Sequence, residues 1–496
     1  MPIVRSFLTG IPAVALIAAC SMSDPASPDS ANANATTTSP PTAAVTGPTF
    51  ASDIEAMVQN KCQSCHRDDG IAPFPLVTYE DVRSMGNLAK RKIEAREMPP
   101  WGAFNDESCQ VQHKFKDDLS LSPDQIETFG TWVTNGMPLG DPAARPLART
   151  DFAPTTLVDA TDTYEIPTPH TVRPGKDDIR CFPIDPKLTA DAWVGATNVI
   201  AGDPRVVHHV IVFLDPNRDA PKLAGPDGSY ECFGGPGTGG SPSILVAWAP
   251  GVPPTNFGEE AGLKIPKTAG LVMQVHYHPT NTAVDDRSKF ELKRLSAPPK
   301  NVAQVILAGN AKDAAGSSTR GLVKLLAGPD DPASGPAFAI PADAEAHKES
   351  MILTMPETVK VGDASFPIPQ LRIAAMGAHM HWAGVDMKID IERKDPAANG
   401  ANECLLSTPK YDFNWQRGYS YDETYANLPT LNGGDKVHFT CTYNNTMQNR
   451  HVAKAMSEST PPQSKTLPIV LGETTGEEMC LGVMVTLRPY IAIVDK

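Results

Sequence analysis

The sequence predicts a multidomain chain: a small all-α domain followed by two all-β sandwich domains. Three observations carry this. The 496 residues suit about three domains of roughly 100–200 residues each. Apolar residues recur at helical spacing around Ile54, Met57 and Val58, and again at Ile126, Phe129, Trp132 and Val133. Beyond residue 150 the apolar runs are β-branched, aromatic-rich and bounded by Gly, Pro or Asp, as strands are. Proline, 48 of 496 residues, is about twice the usual ~5% and disfavours a helical bundle. A hydrophobic content of 41% excludes global disorder. A net charge of −14 argues against a nucleic-acid partner and otherwise suits a solvated surface.

Residues 1–19 read as a signal peptide. Arg5 supplies the charged start, and residues 7–19 form an apolar stretch too short for a stable membrane span. Ile17-Ala18-Ala19-Cys20 resembles a bacterial lipobox, which implies cleavage before Cys20 and its lipidation; the plainer alternative is an ordinary secretory signal. Residues 20–48, rich in Ser, Pro, Ala and Thr, read as a disordered tether. Ser21 after the cysteine resembles outer-membrane lipoproteins, which implies a bacterial cell-envelope location facing the periplasm or the cell surface. Outside the cytoplasm disulfides persist.

Residues 49–145 form the predicted helical domain. Cys62-Gln63-Ser64-Cys65-His66 is a C-x-x-C-H motif, the signature of covalent haem c attachment, with His66 as iron ligand. A thiol-redox or zinc C-x-x-C is the alternative. Ser122-Pro123 marks the start of a closing helix. The whole resembles a small c-type cytochrome. Met98, in a Pro-rich segment that holds it extended, is the expected sixth ligand; Met57, Met85, Met137 and His113 compete.

The remaining chain divides, on this reading, into residues 150–298 and 299–496, with the boundary near Ser296-Ala297-Pro298-Pro299. Its histidines cluster. His208-His209 lies in VVHHVIVF, His276 and His278 in LVMQVHYHPT, and His379 and His381 in AHMHW. Strand residues i and i+2 share a face, so His379 and His381 suit one ion. His208 and His209 point to opposite faces unless the strand is twisted or different ring nitrogens bind. A lone histidine in a strand is usually structural; three such clusters favour metal. Imidazole suits copper, zinc, iron or nickel, and a thioether tilts the choice to copper.

The order His208-His209, Gln274-Val275-His276-Tyr277, His379-Met380-His381 and Glu478-Met479-Cys480 resembles the copper type II, ascorbate-dependent monooxygenases, the family of peptidylglycine α-hydroxylating and dopamine β-monooxygenases. Ala247-Trp248-Ala249-Pro250 and Pro253-Pro254-Thr255 add to it, and it covers about residues 175–490. The resemblance implies two jelly-roll domains and two copper ions. His208, His209 and His276 would hold the electron-transfer copper. His379, His381 and Met479 would hold the oxygen-activating copper and form the catalytic site. Gln274 matches a glutamine proposed to assist electron transfer, and His278 is left outside the copper ligands. Met479 alone would read as core packing. Gly377 stands where peptide-hydroxylating members carry a carboxylate-gripping arginine, and Val483 where they carry a tyrosine. A peptidylglycine substrate is therefore not expected.

Nine cysteines divide into Cys20 for lipid, Cys62 and Cys65 for haem, and six others. The resemblance implies Cys181–Cys232 and Cys441–Cys480. Cys109 and Cys404 remain, either as a bridge or as two separate thiols.

The implied function is copper-dependent hydroxylation of an activated C–H bond in a small substrate with O2. Electrons would pass through the fused haem from a one-electron donor, a periplasmic redox protein or an ascorbate-like reductant. A haem/copper electron-transfer or copper-binding lipoprotein without turnover is the alternative, and a zinc hydrolase a third.

Overall fold

The computed structural model describes residues 46–491, apart from 69, 71, 151, 153–155, 176, 233–234, 241, 251, 311–321, 329–330, 332–334, 362, 460 and 473–475. The signal peptide, Cys20 and nearly all of the tether lie outside the described residues. From Gly47 onward the chain forms one compact unit.

Helices are confined mainly to the N-terminal part. A π-helical turn, Phe50–Ile54, runs into helix Glu55–Lys61, followed by helices Tyr79–Glu94 and Pro123–Thr134. The two longer helices open on reciprocal capping boxes. Thr78 accepts from the Asp81 amide while Asp81 accepts from the Thr78 amide; Ser122 and Gln125 do the same. Each cap contributes about 1 kcal/mol. The expected start at Ser122-Pro123 is where the last helix begins. Phe50, Ile54, Val58, Val82, Ile93, Phe129 and Trp132 form the core of this helical part. Met57 is buried in that core, and Met85 and Met137 pack against it.

The rest of the chain is mostly β-sheet. A five-stranded antiparallel sheet has the order Tyr230–Glu231, Asp178–Ile184, Gly270–Tyr277, Val207–Asp215, Ile244–Trp248. Its partner layer begins with Asp162–Glu165, Lys289–Arg294, Ala192–Ile200 and Ala261–Ile265. Phe182, Val210, Val212, Met273 and Val275 of the first layer share a core with Val194, Val199, Phe290 and Leu292 of the second.

That second layer continues into the C-terminal half. Ala261–Ile265 pairs in parallel with Asn301–Gly309 at Asn301 and Val302, and the sheet runs on through Leu481–Pro489, Leu371–His379 and Gly418–Ser420. Ser296–Pro299 is thus a short connection beside a continuous sheet. A further five-stranded sheet (Val323–Leu325, His347–Thr354, Lys436–Tyr443, Gly384–Glu392, Glu403–Ser407) covers the C-terminal half. Close approach of the two layers explains Gly482: a Cβ there would lie 2.3 Å from Cε1 of Phe439.

All six remaining cysteines are paired, as Cys109–Cys404, Cys181–Cys232 and Cys441–Cys480. The first joins the segment after helix Tyr79–Glu94 to the C-terminal sheet. Around it Phe104 N–H donates to Ser407, Lys116 N–H to Ser420, and Asp422 N–H to Lys114. Trp101 packs edge-on against Tyr419 with ring centroids 5.0 Å apart. Three disulfides mark a chain that folds outside the reducing cytosol. Among the described residues no helix is long and apolar enough to cross a membrane.

Candidate metal centre

His208 and His209 lie on strand Val207–Asp215, and His276 lies on its neighbour Gly270–Tyr277. The register runs His276 opposite His209, then Tyr277 opposite Val207. His208 is therefore the extra residue of a β-bulge. A bulge re-aims a side chain, which lets two adjacent histidines serve one point. One ring nitrogen from each of His208, His209 and His276 lies within 4.8 Å of the others.

The hydrogen bonds around this cluster leave nitrogens aimed inward. His276 Nε2 lies 2.9 Å from Asp177 Oδ2, while its Nδ1 is buried with no hydrogen-bond partner. His208 Nδ1 is also buried and unpartnered. Orphaned buried nitrogens are rare; in a three-histidine cluster they suit a metal. Burial holds His208 down to about 3, helped by the neighbouring His276, and holds His209 well below its ordinary value. Burial thus disfavours the charged form of both rings, and a neutral imidazole is the form that can bind a metal. Burial would raise Asp177, but hydrogen bonds from His276 and His278 outweigh it and keep the carboxyl far below the usual range. His278 Nδ1 binds the other oxygen of Asp177 at 2.9 Å, a position behind the cluster. Asp177 thus orients the His276 ring from outside the cluster. Gln274 is buried, its amide facing Cys232 Sγ and the Gly235 carbonyl.

The second group sits at the end of strand Leu371–His379. The His379 and His381 rings are 5.3 Å apart and nearly perpendicular. His379 Nδ1 is 2.6 Å from Gln416 Oε1, and His381 Nδ1 is 2.9 Å from the Glu477 carbonyl. Both acceptors fix the tautomer with its lone pair on Nε2. The ladder ends where His379 pairs with Leu481; Met479, two residues before Leu481, is buried. Glu478 is buried and accepts from the amides of His381, Ala383 and Met479 at 2.8, 2.7 and 3.1 Å. Burial pushes its carboxyl up to about 8. It ties the His381 turn to the Met479 strand.

The two groups are neighbours. The Phe413 ring lies 5.3 Å from His208 and 6.3 Å from His381. A cavity of about 200 Å³ opens beside it, lined by His208, Trp382, Phe413, His278, His451 and Lys454 among others.

The C-x-x-C-H turn follows helix Glu55–Lys61, with His66 N–H donating to the Cys62 carbonyl. Among the described residues Cys62 and Cys65 are the cysteines outside disulfides. Burial raises the Cys62 thiol to about 12. His66 Nδ1 lies 3.0 Å from the Phe74 carbonyl, and burial lowers the pKa of the ring. Met98 is half-buried past helix Tyr79–Glu94, outside the helical core. His113 is engaged elsewhere, between Glu403 and Glu423.

Sequence reasoning missed Asp177, Gln416 and Phe413. Each is a single residue outside any motif, and no signal short of the fold marks it. Glu478 adjoins the Met479 motif and could have been found there.

No protein-family model and no curated protein matches the chain. Among solved structures it is similar to the major capsid protein P2 of bacteriophage PM2, with 9% identity over 67% of this chain and 98% of that one, at a TM-score of 0.24. It is also similar to the N-glycanase PNGase F, with 12% identity over 66% and 96% of the two chains and a TM-score of 0.22. A second PNGase F structure, from Flavobacterium meningosepticum, gives 13% identity, coverage of 57% and 97%, and a TM-score of 0.18. Scores this low bear on neither fold nor function.

Proposed function

We propose that the chain is a copper-dependent monooxygenase of the copper type II, ascorbate-dependent family. Its β-layers are then the family's two jelly-roll domains, and its helical part a fused c-type cytochrome domain. The observation that carries this reading is the cluster of His208, His209 and His276, with two buried ring nitrogens that lack any protein partner. The donor sets fit. Three imidazoles suit an electron-transfer copper, and His379 and His381 with the thioether of Met479 suit a copper that meets O2 as Cu(I). Cys62, Cys65 and His66 would hold haem c, with Met98 as the expected further ligand to its iron.

When bound, the coppers would supply O2 activation and one electron each, and the haem a one-electron entry. The protein's own residues do the rest. Asp177 holds His276 so that Nδ1 faces the cluster. Gln416 and the Glu477 carbonyl hold His379 and His381 with Nε2 as donor. Glu478 keeps Met479 and His381 at a fixed distance without entering the donor set. Phe413, in ring contact with both His208 and His381, stands between the two groups. The adjacent cavity takes a small substrate with an activated C–H bond. Gly377 and Val483, at the places that grip a peptide carboxylate in relatives, support a substrate other than peptidylglycine. Lipidation at Cys20 would tether the enzyme to the bacterial cell envelope, at the outer membrane.

The test is O2 uptake by copper-loaded protein with a reductant across a panel of small substrates. Uptake that depends on substrate and falls at least about 100-fold in Met479→Ile, a loss near 2.7 kcal/mol of barrier, supports the reading. Copper binding with no substrate-dependent uptake favours the electron-transfer alternative. A Cys65→Ser, haem-free variant whose copper is reduced as fast as wild type would remove the relay.

A further inference from the structure

Among the described residues Arg417 is a cation for which no ion pair forms, and it lies beside the second histidine group. It follows Gln416, the residue that holds His379, and lines a cavity of about 150 Å³ between the Ala95–Gly102 segment and the loop leading to strand Gly418–Ser420. Its guanidinium carbon stands 5.5 Å from the centre of the Trp101 ring. Its Nε is fully buried and has no hydrogen-bond partner. Its charge is felt by Cys65 and Asp117, yet it forms no ion pair with any described carboxylate, and burial pulls its pKa down.

Of the other cations on this wall, Arg450 and Arg96 are engaged, whereas Lys410 forms no ion pair among the described residues. Arg450 pairs with Asp412 and Glu97. Arg96 donates to the Leu121 carbonyl and covers the Phe104 ring. The two acids of the cavity wall, Glu97 and Asp412, are thus taken, by Lys92, Arg450 and His451. Arg417 as a whole is half-buried, and a guanidinium is shaped to receive a carboxylate through two parallel N–H bonds. A carboxylate entering this cavity would meet the guanidinium where it faces Trp101, and Cys65 is near enough for its charge to act on Arg417.

We propose that Arg417 binds a propionate of the haem attached at Cys62 and Cys65. This rests on the haem reading above and deepens it. Arg417 fixes the carboxylate edge of the haem beside the loop whose preceding residue, Gln416, holds His379. The haem is thereby oriented toward the His379/His381 group. The Cys109–Cys404 bridge and the Trp101–Tyr419 contact hold the two parts together for this purpose.

The test uses full-length, haem-loaded protein as wild type, Arg417→Gln and Arg417→Lys. The haem midpoint potential is measured by its visible absorption from pH 5 to 9. Removing a positive charge beside the haem favours the ferric state. Arg417→Gln is expected to shift the reduction equilibrium at least tenfold toward ferric, 59 mV for one electron. It should also add a pH dependence between 5 and 8, where the released propionate titrates; wild type is flat there, and Arg417→Lys stays nearly flat. A haem-bearing Arg417→Gln protein with unchanged potential and unchanged pH profile would overturn the proposal. So would added benzoate shifting the wild-type potential but not that of Arg417→Gln, since the site would then be open to a diffusible acid. If wild type carries no covalent haem, the haem reading itself falls, and this inference with it.

Discussion

Replacing Asp177 by Asn keeps the shape of the side chain and removes its charge. Asp177 accepts from His276 and His278, both at 2.9 Å. Only the first bond bears on the cluster, because His276 lies within it and His278 does not. A hydrogen bond to a charged acceptor contributes about 1.5–3 kcal/mol, against roughly 1 for a neutral one. Asn retains one acceptor oxygen, and its amide can also drive His276 to the tautomer with the proton on Nδ1. The expected loss is about 1.4–2.7 kcal/mol, a 10- to 100-fold weakening. It should fall on one of two copper sites. Competitive Cu(I) titration against a chromophoric chelator reads this directly. Asp178→Asn is the control, since Asp178 binds His170 and Arg180 rather than the cluster; it should leave both affinities unchanged. An Asp177→Asn protein with wild-type affinity, or with equal losses at both sites, would refute the orienting role.

Three other substitutions probe the scaffold. Gly482→Ala places a Cβ 2.3 Å from Phe439 and should lower stability by about 1–3 kcal/mol through overpacking, read by urea denaturation. Asp435 is fully buried against Arg393. Burial would raise its pKa, but hydrogen bonds from Lys394, Asn432 and Arg393 hold it below the usual value. Its contribution is therefore complete above the unfolded value of about 4 and lost as pH falls through the depressed folded one. Asp435→Asn should cost about 3–5 kcal/mol at neutral pH and flatten the acid limb of the stability curve. Removing the Cys109–Cys404 bridge by a double Ser substitution should cost about 2–4 kcal/mol and raise hydrogen exchange in residues 101–118. Unchanged exchange there would show the strap to be held by its other contacts.

The readable parts of the chain were those whose physics is local. Ser122-Pro123 announces a capped helix, and the structure starts one there. Strand periodicity brought His379 and His381 to one face; the strand in fact ends at His379, and the two rings still meet, 5.3 Å apart. The pairing of His208 with His209 was not readable, because it depends on a bulge set by the register against His276. The strap formed by residues 101–118 was legible only as one of two options for Cys109 and Cys404, whose bridge the structure makes; its backbone bonds to partners some 300 positions away leave no pattern in the sequence. The expected break at Ser296–Pro299 is a connection, but two backbone-paired residues, Asn301 and Val302, carry the sheet across it. Asp177 and Gln416 act by position only, and position is a property of the fold.

The central claim is two copper sites of distinct composition, and metal stoichiometry tests it most directly. Full-length protein loaded with copper and freed of excess should hold two ions per chain, His276→Ala one, His379→Ala one, and the double variant none. Wild type that retains a single ion, or zinc in preference to copper, or variants that lose nothing, would contradict it.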